Sequence, residues 1–262
     1  MILHRKEIIF LGYNNIIDCV STKLIDDGLP VSIVTNKKQY SKISKSCLQS
    51  KTTVLEDKDK LLSYINSLKN INNYFFISVG CPWILDQRHF DKLKHNIYNL
   101  HGTHLPKYRG GTIFSWQILT GNRLGICLLH RMKNKIDSGP IISFDEFIYP
   151  PSCHKPIDYI QFYDKKNIDF LYKTLLELQN ENNEPTQIKQ PEYLSSYWPR
   201  LRSDVNGWID WSWTALEIER FICAFDEPYE GARCRLNNSM VIIKDVFSQS
   251  SDGYTHPIQY GI

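Results

Sequence analysis

The chain has 262 residues, 42% of them hydrophobic and 23% charged, which suits one large domain or a domain with a small appendage. Its 31 basic residues against 28 acidic ones leave a net charge of +3, too near balance to argue for a nucleic-acid partner. Seven cysteines without a Cys-x-x-Cys pair argue against a disulfide framework or a zinc ribbon and for a reducing, cytoplasmic setting; the apolar run at 8–11 is far too short for a signal peptide or a membrane span.

Residues 7–12 read as a short buried strand ending in glycine. Asn14 or Asn15 can cap a helix with Ile16, Ile17, Val20 and Leu24 at helical spacing, and Gly28 and Pro30 stop it. Residues 31–35 form a second strand, so the chain opens like a doubly wound sheet. Only Gly12 of a G-x-G-x-x-G fingerprint is present, which argues against a nicotinamide dinucleotide site. The Lys- and Ser-rich stretch 37–51 reads as a mobile, solvated loop. Leu61, Leu62, Ile65 and Leu68 mark another helix, and 74–79 a third buried strand. The apolar loop 80–85 then lies at the strand's carboxyl end, where open α/β sheets bind ligands. Trp83 there suits a flat heteroaromatic ring; equally, Trp83, Ile84 and Leu85 could pack a helix onto the sheet.

Residues 99–111, NLHGTHLPKYRGG, are the end of a strand followed by a turn-rich segment. Alternation puts Asn99 and His101 on one face and Leu100 on the other. An amide beside an imidazole offers an oxyanion donor and a base, the equipment of acyl transfer; the competing reading is two hydrogen-bonded turn residues. Thr112 can cap a helix carrying Ile113, Trp116, Ile118 and Leu119. Its start, just after Arg109, Gly110 and Gly111, would offer amides and a guanidinium to phosphate oxygens, unless Arg109 pairs with a carboxylate. Two strands, 124–132 and 140–147, flank a turn at Asp137-Ser138-Gly139. His101 and His104 lack the further ligands of a zinc site, and no metal-ligand cluster is evident.

Ile168, Leu171, Leu175 and Leu178 define a closing helix, and 180–184 a polar linker. Four of the six tryptophans follow, at 198, 208, 211 and 213, in a number that favours packing or dimerisation over stacking on a base. Thr214 and Glu217 form a capping box for a helix with Ile218, Phe221, Ile222 and Phe225, ended by Asp226-Glu227-Pro228. Residues 232–236 and 240–246 pair as a hairpin around Asn237-Asn238.

Three of these pieces, in order, resemble the formyltransferase family that uses N10-formyltetrahydrofolate: Asn99-x-His101, the Leu-Pro-x-x-Arg-Gly run at 105–110, and Asp137-Ser138-Gly139. The resemblance covers roughly the first two-thirds of the chain, and Gly102-Thr103-His104 departs from the Pro-Ser-Leu common in relatives. It implies an α/β fold: a Rossmann-like formyltransferase domain with a mostly parallel sheet over 1–180, and a small Trp-rich α+β C-terminal region over 181–262. It implies Asn99, His101 and Asp137 as catalytic residues, and no metal. Trp83, Ile84, Leu85, Ser138 and Gly139 are expected around the folate, and His104, Arg109, Gly110 and Gly111 around the acceptor. Within the family the tail is short for the tRNA enzyme and unlike the glycinamide ribonucleotide enzyme, and the folate hydrolase carries a regulatory domain ahead of its catalytic one. The expectation is therefore a homodimer using N10-formyltetrahydrofolate to formylate a nucleotide-linked (dTDP-, UDP- or GDP-) aminodideoxysugar for O-antigen synthesis, with no membrane or nucleic-acid partner. The alternatives are a methionyl-tRNA formyltransferase-like enzyme, a nicotinamide-dependent reductase module and a non-catalytic nucleotide-binding or tRNA-binding protein.

Overall fold

The computed structural model describes residues 5–42, 51–180 and 185–249. Short apolar runs make the strands β1 (Glu7–Leu11), β2 (Val31–Thr35), β3 (Lys51–Val54), β4 (Tyr74–Ser78) and β5 (Ile97–His101). Two longer strands follow, β7 (Leu124–Arg131) and β8 (Ile141–Ile148), after a two-residue β6 (Arg109–Gly110). Seven of these eight form one sheet in the order β3-β2-β1-β4-β5-β7-β8. The pairings from β3 to β5 are parallel, and those of β7 with β5 and β8 are antiparallel.

Strand alternation splits the core in two. Ile8, Phe10, Phe75, Ile77, Tyr98 and Leu100 pack beneath α1 (Asn15–Asp26) and α6 (Pro156–Asn180), through Ile16, Ile17, Val20, Leu24, Leu171 and Leu175. Ile9, Leu11, Phe76 and Ile97 face the other way, against Leu61 and Ile65 of α3 (Lys58–Ser67) and Leu93 of α4 (Gln87–Leu93). Asn99 and His101 continue the face of Ile97, so they emerge at the carboxyl end of β5 on the α3–α4 side. Asn14 caps α1, accepting from the amide of Ile17 at 3.1 Å.

Two local expectations change, and one helix adds to those expected. The stretch 37–51 is not all loop: Asn36 caps a one-turn helix, α2 (Lys37–Tyr40), and the β-branched Thr52, Thr53 and Val54 pair with β2 as β3; residues 43–50 lie outside the described residues. Helix α4 has no clear apolar period and begins on a capping box of Asp86 and His89. Thr112 is not an extended cap: its φ of 57° and that of Gly110 (110°) turn the chain out of β6 into α5 (Ile113–Thr120).

Contacts group the chain into two units. The first comprises Met1–Ile113, Leu124–Tyr149 and Ile160–Pro199; the second Phe114–Arg123, Pro150–Tyr159 and Arg200–Ile262. The expected linker at 181–184 lies outside the described residues, and the stretch 190–198 groups with the first unit, where β9 (Tyr197–Trp198) pairs with β6. In the second unit, α7 (Ser203–Asn206) precedes α8 (Ala215–Ala224), whose Thr214–Glu217 capping box forms as expected. Strands β10 (Ala232–Leu236) and β11 (Ser239–Ile243) make the hairpin. Phe221 packs edge-on to Trp213 and tilted against Phe225, but Trp211 is 58% exposed. Among the described residues no helix is long and apolar enough to cross a membrane.

Candidate active site

The site is a row of polar side chains laid across three strands. Register pairs Ser78 of β4 with Asn99 of β5, and Asn99 with His130 of β7. Neighbours in register point to the same face, so the three side chains meet. Ser78 Oγ donates to Asn99 Oδ1 (2.8 Å), and Asn99 Nδ2 lies 3.2 Å from His130 Nε2. His130 Nδ1 lies 3.0 Å from the carbonyl of Arg131; a carbonyl only accepts, so the proton sits on Nδ1 and Nε2 presents a lone pair to the amide. Asn99 thus has its oxygen and one N–H engaged and keeps a second N–H to donate.

Asp137 reaches the row from the β7–β8 connection, where its backbone is left-handed (φ 50°). Its carboxylate lies 3.9 Å from His101 Nε2 and 3.6 Å from His130 Nε2, and accepts from the Gly110 amide at 3.2 Å. Burial alone would raise its pKa, but the two imidazoles and that amide outweigh it and hold the carboxyl at about 2. His101 is 6% exposed, and burial takes its pKa down to about 4 against the opposing pull of Asp137. At neutral pH the pair is a neutral imidazole beside an ionised carboxylate. Thr103 Oγ1 lies 2.7 Å from His101 Nε2 and donates to the carbonyl of Tyr108; being a rotor, it can donate to a bare Nε2 or accept from a protonated one.

These groups close one end of a cavity of about 330 Å³, within the size range of ligand pockets. Its other walls are largely apolar: Trp83, Ile84, Leu85, Phe90, Met132 and Ile136. The packing reading of the 80–85 loop holds for Leu85, which is in the core, and for Trp83, which packs against it, while Ile84 is 78% exposed.

The other expected site residues divide. Gly110 lines the cavity, but its amide and that of Gly111 are engaged, by Asp137 and by the Trp198 carbonyl. Arg109 follows the competing reading: it is 5% exposed and bonded to Glu192 (3.0 Å) and Gln190 (2.9 Å). His104 is turned to Glu146 at 3.1 Å, away from the cavity. Ser138 and Gly139 shape the bend without lining the cavity: Ser138 Oγ donates to the Lys135 carbonyl, and a Cβ on Gly139 would fall 1.7 Å from the Arg131 carbonyl.

Sequence reasoning missed Ser78, Thr103, His130 and Gln190. Gln190 Nε2 donates to the carbonyls of Asp137 and Gly139 at 2.8 and 2.6 Å, clamping the bend that carries the carboxylate. The signal for His130 was strand register, which is invisible within any one segment.

The chain is similar to several known proteins. Residues 8–148 match the family described as "Formyl transferase", and 203–257 match "Formyl transferase, C-terminal domain". The chain is 32% identical over 211 residues to the bifunctional polymyxin resistance protein ArnA of Wigglesworthia glossinidia brevipalpis, covering 78% of this chain and 31% of that protein. It is 29% identical over 168 residues to the methionyl-tRNA formyltransferase of Clostridium perfringens, covering 60% and 50%. The crystal structure of WlaRD, a sugar 3N-formyl transferase in the presence of dTDP and 5-N-formyl-THF, superposes with a TM-score of 0.71 at 25% identity, over 91% of this chain and 85% of that one.

Proposed function

Because the chain belongs to the formyl transferase family, we propose that it moves the formyl group of N10-formyltetrahydrofolate onto the amine of a nucleotide-linked amino sugar. The observation that carries the reading is the meeting of Asn99, His101 and Asp137 at the polar end of a cavity whose remaining walls are mainly apolar. Those walls suit a pterin ring, with Trp83 at one side, and the polar end lies where a formyl group would need a hydrogen-bond donor.

The folate supplies an electrophilic formyl carbon. Asn99, held by Ser78 and His130, aims its remaining N–H at the oxygen on which negative charge develops. His101 accepts the proton that the attacking amine sheds, with Thr103 turning to accept from Nε2, and Asp137 steadies the resulting imidazolium. A new C–N bond forms at the acceptor, the bond from carbon to N10 breaks, and N10 takes up a proton.

The acceptor class is supported by the likeness to WlaRD over most of both chains. The reading extends to a dTDP-, UDP- or GDP-linked aminodideoxysugar, a cytoplasmic homodimer assembled through the C-terminal region, and a role in O-antigen synthesis. The likeness to the methionyl-tRNA enzyme favours a second reading, aminoacyl-tRNA as acceptor, against which the net charge of only +3 counts. Incubation with formyltetrahydrofolate, a panel of nucleotide-linked amino sugars and initiator methionyl-tRNA decides by product mass. Gain of one formyl group on a sugar upholds the proposal; gain on the tRNA alone replaces it.

A further inference from the structure

His130 and Asp137 meet at the polar end of the cavity, beside His101. His130 Nδ1 lies 3.0 Å from the Arg131 carbonyl, while its Nε2, 3.2 Å from Asn99 Nδ2, also lies 3.6 Å from Asp137 Oδ1. His101 supplies a third donor: one ligand atom from each of His101, His130 and Asp137 lies within 4.8 Å of the other two. We propose that these three side chains take up one transition-metal ion of the zinc class, and that the bound ion blocks formyl transfer.

Two imidazoles and a carboxylate suit Zn²⁺ or Co²⁺ and disfavour Mg²⁺ and Ca²⁺. A four-coordinate zinc holds its donors about 3.4 Å apart, so His101 and Asp137, at 3.9 Å, close by a fraction of an ångström. The bond from His130 Nδ1 to a backbone carbonyl is the outer contact that fixes the orientation of a metal-binding imidazole. Three protein donors leave a coordination position open toward the cavity. An ion there occupies the nitrogen and the carboxylate that handle the amine's proton. The inhibitory half of the inference rests on the proposed function; the binding half does not.

The test titrates Co²⁺ into the metal-free full chain and follows its visible d–d bands, with Mg²⁺ as control. We expect one equivalent bound without a thiolate-to-cobalt band, a needed check because Cys81 lines the same cavity. His130→Ala and Asp137→Asn should each weaken binding about tenfold or more. If His130→Ala loses its near-UV circular dichroism, Asp137→Asn on the connecting bend carries the comparison. Absent bands, a thiolate signature, or affinity unchanged in the folded variants overturns the site. Saturating Co²⁺ should abolish formyl transfer and EDTA should restore it; transfer undiminished by bound Co²⁺ overturns the inhibition. Protein that binds Co²⁺ as expected but formylates no acceptor overturns the proposed function and leaves the metal site standing.

Discussion

Asn99 is held at both ends of its amide, so its truncation removes a donor that is already aimed. Loss of one such donor in acyl-transfer sites costs about 2.7–4 kcal/mol, so Asn99→Ala should lower kcat roughly 10²–10³-fold with little change in KM, read by steady-state kinetics on a variant with a native circular dichroism spectrum. His101 carries a pH signature. Its folded pKa of about 4 lies below the ordinary 6.5, so between those values the unfolded chain takes up a proton that the folded chain refuses. Stability contributed by the neutral ring is therefore present above 6.5 and lost as pH falls toward 4. Asp137 adds a further loss as pH falls from the ordinary 3.8 toward about 2. His101→Asn should flatten the decline of the thermal midpoint between pH 6.5 and pH 4; a decline as steep as that of the unaltered protein would refute the account. Asn99, His101 and Asp137 were legible in the sequence because short motifs carry them, whereas His130 and Gln190 act through partners 31 and 51–81 residues away and leave no local trace.

The two-residue β6 matters at the scale of elements, because it ties the Asp137 bend to the 190–198 stretch. Gly110 has a φ of 110°, and a Cβ there would come within 2.3 Å of the Trp198 carbonyl, while the Gly110 amide serves Asp137. Gly110→Ala should therefore destabilise by about 1–3 kcal/mol in denaturant titrations and also lower activity, since pairing and carboxylate shift together. Gln190→Leu keeps the volume but removes both donors to the Asp137 bend. It should reduce kcat more than it changes KM and lower the thermal midpoint; an unchanged kcat would refute the clamp. Strands β1, β2, β4 and β5 and the Thr214 cap were readable because apolar runs and capping residues are local signals. Helix α4 and strand β3 were not, since α4 depends on its Asp86–His89 cap and β3 on pairing with β2.

For the whole molecule, a ligand that binds only the folded chain adds about 2.7 kcal/mol at one hundred times its Kd. 5-Formyltetrahydrofolate should therefore raise the thermal midpoint in a concentration-dependent way and NADH should not, consistent with the single Gly12 after β1; the reverse pattern would favour a reductase. The doubly wound opening was legible from strand–helix–strand periodicity, but the antiparallel β7–β8 edge was not, because strand order is set by long-range pairing. That pairing gives the Ser78–Asn99–His130 row a further consequence. Its members are threaded onto three separate strands, so any breathing motion that lifts β7 from β5 disperses them while the parallel half stays folded. Catalysis should then fail on warming before the far-ultraviolet signal does, with amide exchange along β7 as the early warning.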